Sequence, residues 1–338
     1  MNYSKNILLT GAGFTKNFGG FLAEEMWAQI LVHPEVQKEW KVIEFMHNEF
    51  NYEKVYYEIM HEHPYLSLPQ YEEAIHKAMM QIYEKLDYRI HNNYPDSHEG
   101  IFQLINLFKG AEDEVGLVFS LNQDLYIERL FMHKSIEDLM LPGLDNDPYK
   151  TGWQKYINTV GYNYLKLENE IDIRLPVKKL NYIKLHGSCN WKSRDGSNAV
   201  VIGLNKKDAI DREPLLKEYY RVFQEALFQK DVKLLVIGYG FGDDHINEII
   251  SKSLEYIDNN EERMKLYVVS PEPPSEFKKK LCEPRGLSKN GSEYRKRKEI
   301  GRGIFDRLAG YFQCNLTEFT SYLYERNHYF NRIKEIFS

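Results

Sequence analysis

Asn122, Asp124 and His186 each follow a short apolar run, in "VFSLNQDLY" and "YIKLHGSCNW". An imidazole with an unperturbed pKa of about 6.5 can act as a general base at neutral pH. An asparagine can hold a hydroxyl or a water without bringing charge, and an aspartate can accept from a hydroxyl or an amide. Each also has a plain structural use: His186 as a hydrogen-bonded core residue, Asn-x-Asp as an Asx-turn or helix cap. Glycine supplies the second group. In "NILLTGAGFTKNFGGF" an apolar run stops at Gly11 and Gly13; in "LLVIGYGFGDDHI" another stops at Gly238 and Gly240, ahead of Asp243 and Asp244, either of which can cap a helix. Such turns let backbone N–H groups approach a pyrophosphate, with the positive end of the next helix behind them. The dehydrogenase fingerprint wants a third glycine where Lys16 stands, and a second strand ending in an acid roughly 20 residues on. Here the chain reads as helix instead. Either Gly-x-Gly alone also fits an ordinary tight turn. The sequence contains no G-x-S-x-G elbow, P-loop lysine motif or H-E-x-x-H.

These residues need a scaffold that gathers them. Strand-like runs lie at 7–10, 115–121, 182–185, 199–202, 234–237 and 266–269, most of them continuous and flanked by Gly, Asn, Asp or Ser. Strands buried on both faces of a parallel sheet read this way. Helical periodicity fills 21–31, 71–90, 101–108, 125–132, 214–228, 244–257 and the run from 316. The alternation predicts an α/β class, a doubly wound parallel (Rossmann-like) sheet with an inserted helical subdomain. The expected division is a sheet domain of 1–20 and 98–338 and a helical insertion of 21–97, with 133–180 a further irregular insertion. The basic stretch 278–302 reads as a solvated surface loop, or as an anion- or partner-binding surface. In a doubly wound sheet ligands bind at the carboxyl ends of the strands, and every candidate above falls at such an end.

Composition narrows the function classes. The 338 residues carry 44 Lys plus Arg against 50 Asp plus Glu, a net charge of −6, so nothing global calls for direct nucleic-acid binding or an acidic membrane surface. Cys189, Cys282 and Cys314 lie far apart with no C-x-x-C, which excludes a cysteine-rich zinc ribbon and argues against a disulfide framework. No stretch is long and apolar enough for a signal-peptide core or a bilayer span. The expectation is a cytoplasmic protein with no metal.

In order along the chain, "GAGFT", "SLNQD", "LHGS" and "GYGFGDD" resemble the sirtuin family, and more closely the sirtuin-like domains of bacterial anti-phage defence proteins. The resemblance implies NAD as substrate. It implies pyrophosphate contacts from Gly11, Ala12, Gly13, Phe14 and Thr15, and catalytic roles for Asn122 and His186. It places Asp124 beside the nicotinamide ribose, Gly238, Tyr239, Gly240 and Phe241 toward the adenosine end, and Ser270 at the adenosine ribose. Two departures matter. The family's deacylases hold a structural zinc with four cysteines, and this sequence has three, dispersed. The stretch that closes on nicotinamide is replaced by "NFGGFLAEEMW". Both favour the zinc-less relatives, which cleave NAD with water as acceptor. The resemblance thus implies an NAD hydrolase serving as the toxic effector of abortive infection. The helices beyond what NAD binding needs lead to the expectation of a homo-oligomer, and the resemblance suggests a DNA-translocating ATPase of the same defence system as a possible partner. The alternatives are a non-catalytic NAD or ADP-ribose sensor and an NAD-dependent deacylase or ADP-ribosyltransferase.

Overall fold

The computed structural model describes residues 1–61, 64–92, 98–134, 136–144, 165–166, 173–193, 195–258, 261–262, 264–284, 288–314 and 328–338. Its strands are β1 (Tyr3–Thr10), β2 (Val115–Ser120), β3 (Leu139–Met140), β4 (Leu165–Lys166), β5 (Leu180–Lys184), β6 (Gly187–Lys192), β7 (Asn198–Val200), β8 (Val232–Ile237), β9 (Ile257–Asp258), β10 (Glu261–Glu262), β11 (Met264–Ser270) and β12 (Leu308–Gln313). Among the described residues seven of them form one sheet in the order β12-β11-β8-β1-β2-β5-β3. Every ladder in it is parallel. The continuous apolar runs behave as their composition requires: every residue of β2 and β5 is buried, as are the last four of β1.

The chain leaves β1 toward β2 and β5, then returns to the other side of β1 as β8 and continues outward through β11 and β12. The direction of winding therefore reverses between β1 and β8. Such a reversal opens a crevice at the carboxyl ends of the two strands, and here those ends carry the two glycine turns.

Several elements differ from the sequence expectation. The run 199–202 does not join the sheet: β7 pairs antiparallel with β6. β12 was not foreseen, because as an edge strand it is half-buried and shows no continuous apolar run. Leu139–Met140, inside the block expected to be irregular, extends the sheet beside β5; most of that block lies outside the described residues. The basic stretch forms helices Pro274–Cys282 and Ser292–Asp306 rather than a loop. Its charges are partly paired, Lys296 to Glu248 and Arg297 to Asp244, each at 2.5 Å. The C-terminal run is described only as the helix His328–Phe337, which packs Phe330, Ile333 and Phe337 onto the sheet core.

The early helices Ala23–Leu31, Trp40–Asn48, Tyr52–His61 and Pro69–Asn92 gather around a second apolar cluster that includes Ile30, Val42, Met46, Val55, Ile59 and Ile75, together with Leu125, Cys189 and Ile202 from the sheet part of the chain. Pro69–Asn92 joins the two cores. Its stripe Tyr71, Ile75, Ala78, Met79, Ile82 and Tyr83 belongs to the helical cluster, and Leu86 to the sheet core. That spacing of three and four residues puts the whole stripe on one helical face. No described helix is long and apolar enough to cross a membrane.

Candidate functional site

The two glycine turns are bonded to each other. The N–H of Gly11 donates to the Ile237 carbonyl at 3.0 Å and that of Gly13 to the Gly238 carbonyl at 2.8 Å. Gly238 has φ +69°, and a Cβ placed there would lie 2.1 Å from the Phe14 nitrogen. A Cβ on Gly13 would lie 2.8 Å from the Gly238 Cα. Glycine is thus required by turn-on-turn contact, and the N–H groups of Gly11 and Gly13 are engaged by the second turn rather than left open for a pyrophosphate. The helix that follows is one turn, Ala12–Thr15, continued by the 3₁₀ turn Lys16–Phe18. Its Phe14 is buried, edge-on to Tyr126 at 6.1 Å. Ala12 on the first turn and Gly240 and Gly242 on the second are exposed at this edge.

Asn122 joins the first turn. Its Nδ2 donates to the Gly11 carbonyl at 3.0 Å and to Thr15 Oγ1 at 3.4 Å. Its backbone N–H donates to Ser120 Oγ, which itself accepts from Thr10 Oγ1 at 2.9 Å. The ladders pair Thr10 with Ser120 and Ser120 with Lys184. Asn122 and His186 therefore leave neighbouring strands two residues past the same level of the sheet.

Lys184 fixes the spacing between them. It is fully buried, and its Nζ donates to the Asp124 carbonyl at 2.5 Å, to Ser188 Oγ at 2.8 Å and to Glu128 Oε1 at 3.0 Å. One ammonium thus ties the loop carrying Asn122 to the turn carrying His186. The Asp124 carboxylate takes a local partner: its Oδ1 accepts from the Tyr126 N–H at 3.0 Å, at the first residue of the helix Tyr126–Lys134.

His186, only 2% exposed, does not stand alone. Its Nε2 lies 3.0 Å from Nε2 of His245, in the first turn of the helix Asp244–Glu255. Asp243, at the N-cap position of that helix, makes no capping bond with its side chain. Its carboxylate instead takes Lys206 Nζ at 2.7 Å, and the same ammonium reaches Glu53 Oε1 of the helix Tyr52–His61 at 2.8 Å. Burial depresses His186 to about 3 and His245 to about 4; Asp243 works against this and Lys206 with it. Both rings are therefore neutral at pH 7. Against the opposing effect of burial, Lys206 holds the Asp243 carboxyl well below the carboxylate range, while burial raises Glu53 in spite of the same ammonium. Ligand atoms of His186, Asp243 and His245 lie within 4.8 Å of one another. The Lys206 ammonium lies on the same Asp243 carboxylate.

The sequence reading missed His245, Lys206 and Glu53. His245 stood in the quoted "GDDHI", directly after the two candidate caps; Lys206 and Glu53 carried no local signal. The second turn is built to hold this helix. Tyr239 OH accepts from the Asp243 N–H at 3.0 Å and donates to Asn247 Oδ1 at 3.0 Å, and Asn247 Nδ2 returns to the Phe241 carbonyl at 2.9 Å. The Tyr239 ring packs at a tilt of 32° against Phe241, with ring centroids 4.7 Å apart. Ser270 ends β11, two strands from β1 across β8, so it does not join the His186 cluster. Its Oγ accepts from the Glu272 N–H at 3.3 Å.

A family model described as a SIR2-like domain matches residues 117–293. The matched span includes Asn122, Asp124, His186, Lys206, the Gly238 turn, His245 and Ser270, and begins after the Gly11 turn. Among curated proteins none matches the chain.

Proposed function

The chain belongs to the family of SIR2-like domains, whose activity is NAD-related, and from that we propose that it hydrolyses NAD to ADP-ribose and nicotinamide. The observation that carries the reading is the common level of the strand ends. The turn after β1, Asn122 after β2 and His186 after β5 share one edge, beside the reversal of the sheet. Such a crevice is where a doubly wound sheet takes a nucleotide.

In the reaction the bond between ribose C1′ and the cationic nicotinamide nitrogen breaks, and nicotinamide leaves neutral with the bonding pair. Water adds its oxygen to C1′ and yields a proton. The transition state is oxocarbenium-like, as in glycoside cleavage. Neutral His186 has a lone pair to take a proton from a ribose hydroxyl or from the water, a contribution of typically ~10²–10⁴-fold. Asn122, fixed on the Gly11 carbonyl, holds the ribose and water position without adding charge. Asp124 shapes the loop through its bond to the Tyr126 N–H. Ser270, roughly 10 Å from β1 at the usual strand spacing, would meet the distal ribose on this reading.

Hydrolysis is preferred to deacylation because the three cysteines stand on separate elements, on β6, at the end of Pro274–Cys282 and just past β12, and so offer no four-cysteine zinc module. The reading extends to an effector of antiviral abortive infection, working as a homo-oligomer or with a partner ATPase. Val32, Trp40 and Phe50 are exposed on the helical insertion and offer apolar surface for such assembly.

The test is incubation of the purified chain with NAD, alone and with an acetyl-lysine peptide, followed by chromatography. Nicotinamide and ADP-ribose appearing in equal amounts without peptide is the expected outcome. Peptide-dependent turnover would establish the deacylase reading, and binding without turnover the sensor.

A further inference from the structure

The Nε2 atoms of two neutral imidazoles cannot both be lone pairs at 3.0 Å; one must donate to the other. In the proposed reaction His186 is the base, so its one ring proton must leave Nε2 free. With Nε2 facing His245, that proton belongs on Nδ1. His186 Nε2 is then the acceptor and His245 Nε2 the donor. The two rings present, side by side, the acceptor and the donor that one hydroxyl group needs.

Resting on the hydrolase reading, we propose that His245 is a second catalytic residue: a substrate hydroxyl inserts between the rings, giving its proton to His186 Nε2 while its oxygen accepts the His245 Nε2–H. The resting bond between the rings is replaced by two bonds to the hydroxyl. When the base acts, the O–H bond breaks, a bond from that hydrogen to His186 Nε2 forms, and the electron pair left on oxygen is held by the His245 N–H. A second, uncharged donor suits this place. A cationic one would oppose proton transfer to His186, and His245 is kept neutral by the burial that neutralises His186. His245 is also the more exposed of the two rings, and so the one nearer an entering ligand.

The surroundings fix this donor in place. The Tyr220 hydroxyl donates to the His245 carbonyl at 2.6 Å. Asp243, Lys206, Lys207 and Glu248 are the charges that act on the His245 ring, and Asp243 and Lys206 those that act on His186. Lys206 is itself clamped by Glu53 from the helical insertion.

Two measurements test the proposal. His245→Phe should lower kcat for NAD hydrolysis about a hundredfold, the usual loss for one donor to a developing oxyanion, with KM within threefold. His245→Gln, which keeps an N–H donor, should recover to within about tenfold of wild type by the same scale. A Phe variant within threefold of wild type, or a Gln variant no better than Phe, would overturn the role. The second measurement does not need turnover: ¹⁵N spectra of the ring nitrogens in wild type at pH 7. The proposal requires Nδ1–H on His186 and Nε2–H on His245, with both Nε2 signals moving when ADP-ribose is added. The opposite tautomers, or signals unmoved by saturating ADP-ribose, contradict it. Wild type that leaves NAD intact while showing the expected tautomers and shifts would refute the hydrolase reading but leave the paired hydroxyl site standing.

Discussion

Lys184 and Glu128 form an ion pair at 3.0 Å in which neither side chain has any solvent exposure. The pair lies beneath the candidate site, and its lysine also holds the Asp124 carbonyl and the Ser188 hydroxyl. A buried pair adds little net stability, but removing one partner strands the other charge. Lys184→Met should therefore destabilise the protein by about 3–5 kcal/mol, and Lys184→Met with Glu128→Leu by clearly less. Urea unfolding of the two variants decides this; equal losses would mean that the pair is not the reason for the loss.

The glycine turns are expected to fail by loss of fold. Gly238→Ala places a methyl group 2.1 Å from the Phe14 nitrogen at φ +69°, where the left-handed conformation alone costs an L-residue about 1–2 kcal/mol. Gly13→Val overpacks the same contact. Both should lower the thermal midpoint by several degrees in the absence of any ligand. A Gly13→Val protein as stable as wild type that no longer binds NAD would instead return this glycine to a ligand-facing role.

A second buried cation makes a parallel case in the upper layer. Lys206 stands between Glu53 and Asp243 with 11% of its side chain exposed. Lys206→Met leaves two facing carboxylates without a cation, and by the same reasoning should cost about 3 kcal/mol or more. Adding Glu53→Gln should restore part of that loss. A double-mutant cycle with no coupling between positions 53 and 206 would remove the link between the helical insertion and the site.

Stability should fall on mild acidification. His186 and His245 are held neutral by burial, at about 3 and about 4, below the unfolded value of about 6.5. The unfolded chain therefore binds protons first. The stability these rings contribute is complete above pH 6.5 and is lost as pH falls through the window from about 6.5 to 4, at about 1.4 kcal/mol per pH unit for each ring. Asp243 moderates the effect, and Lys206, Lys207 and Glu248 also act on the pair. Denaturation at a series of pH values should show the slope, and the His186→Gln, His245→Gln double variant should flatten it. An unchanged slope in that variant would place the titrating groups elsewhere.

The parts that were legible in the sequence share a cause. β1, β2, β5 and β8 are buried on both faces, so their apolar runs are continuous, and the residues that end those runs fall on the functional edge. The stripe from Tyr71 to Leu86 announced its helix through spacing alone. What the sequence hid depends on pairing at a distance. β12 is an edge strand without an apolar run. Lys206 and Glu53 lie 153 positions apart and meet only when the helical insertion folds back. His245 was hidden by its neighbours, since an aspartate before a helix already has a sufficient explanation as a cap. The glycines were read correctly as turn residues, but the contact that demands glycine is between the two turns, which neither motif reveals by itself.

The central claim is that NAD is cleaved at the edge shared by Asn122 and His186. Nicotinamide release from NAD should be measured for wild type, Asn122→Ala and His186→Ala, with circular dichroism confirming the fold of each. Wild type should release nicotinamide without an acyl-peptide, and each folded variant should lose at least about a hundredfold in kcat, the scale of a positioned base. Folded variants that turn NAD over at the wild-type rate would contradict the account.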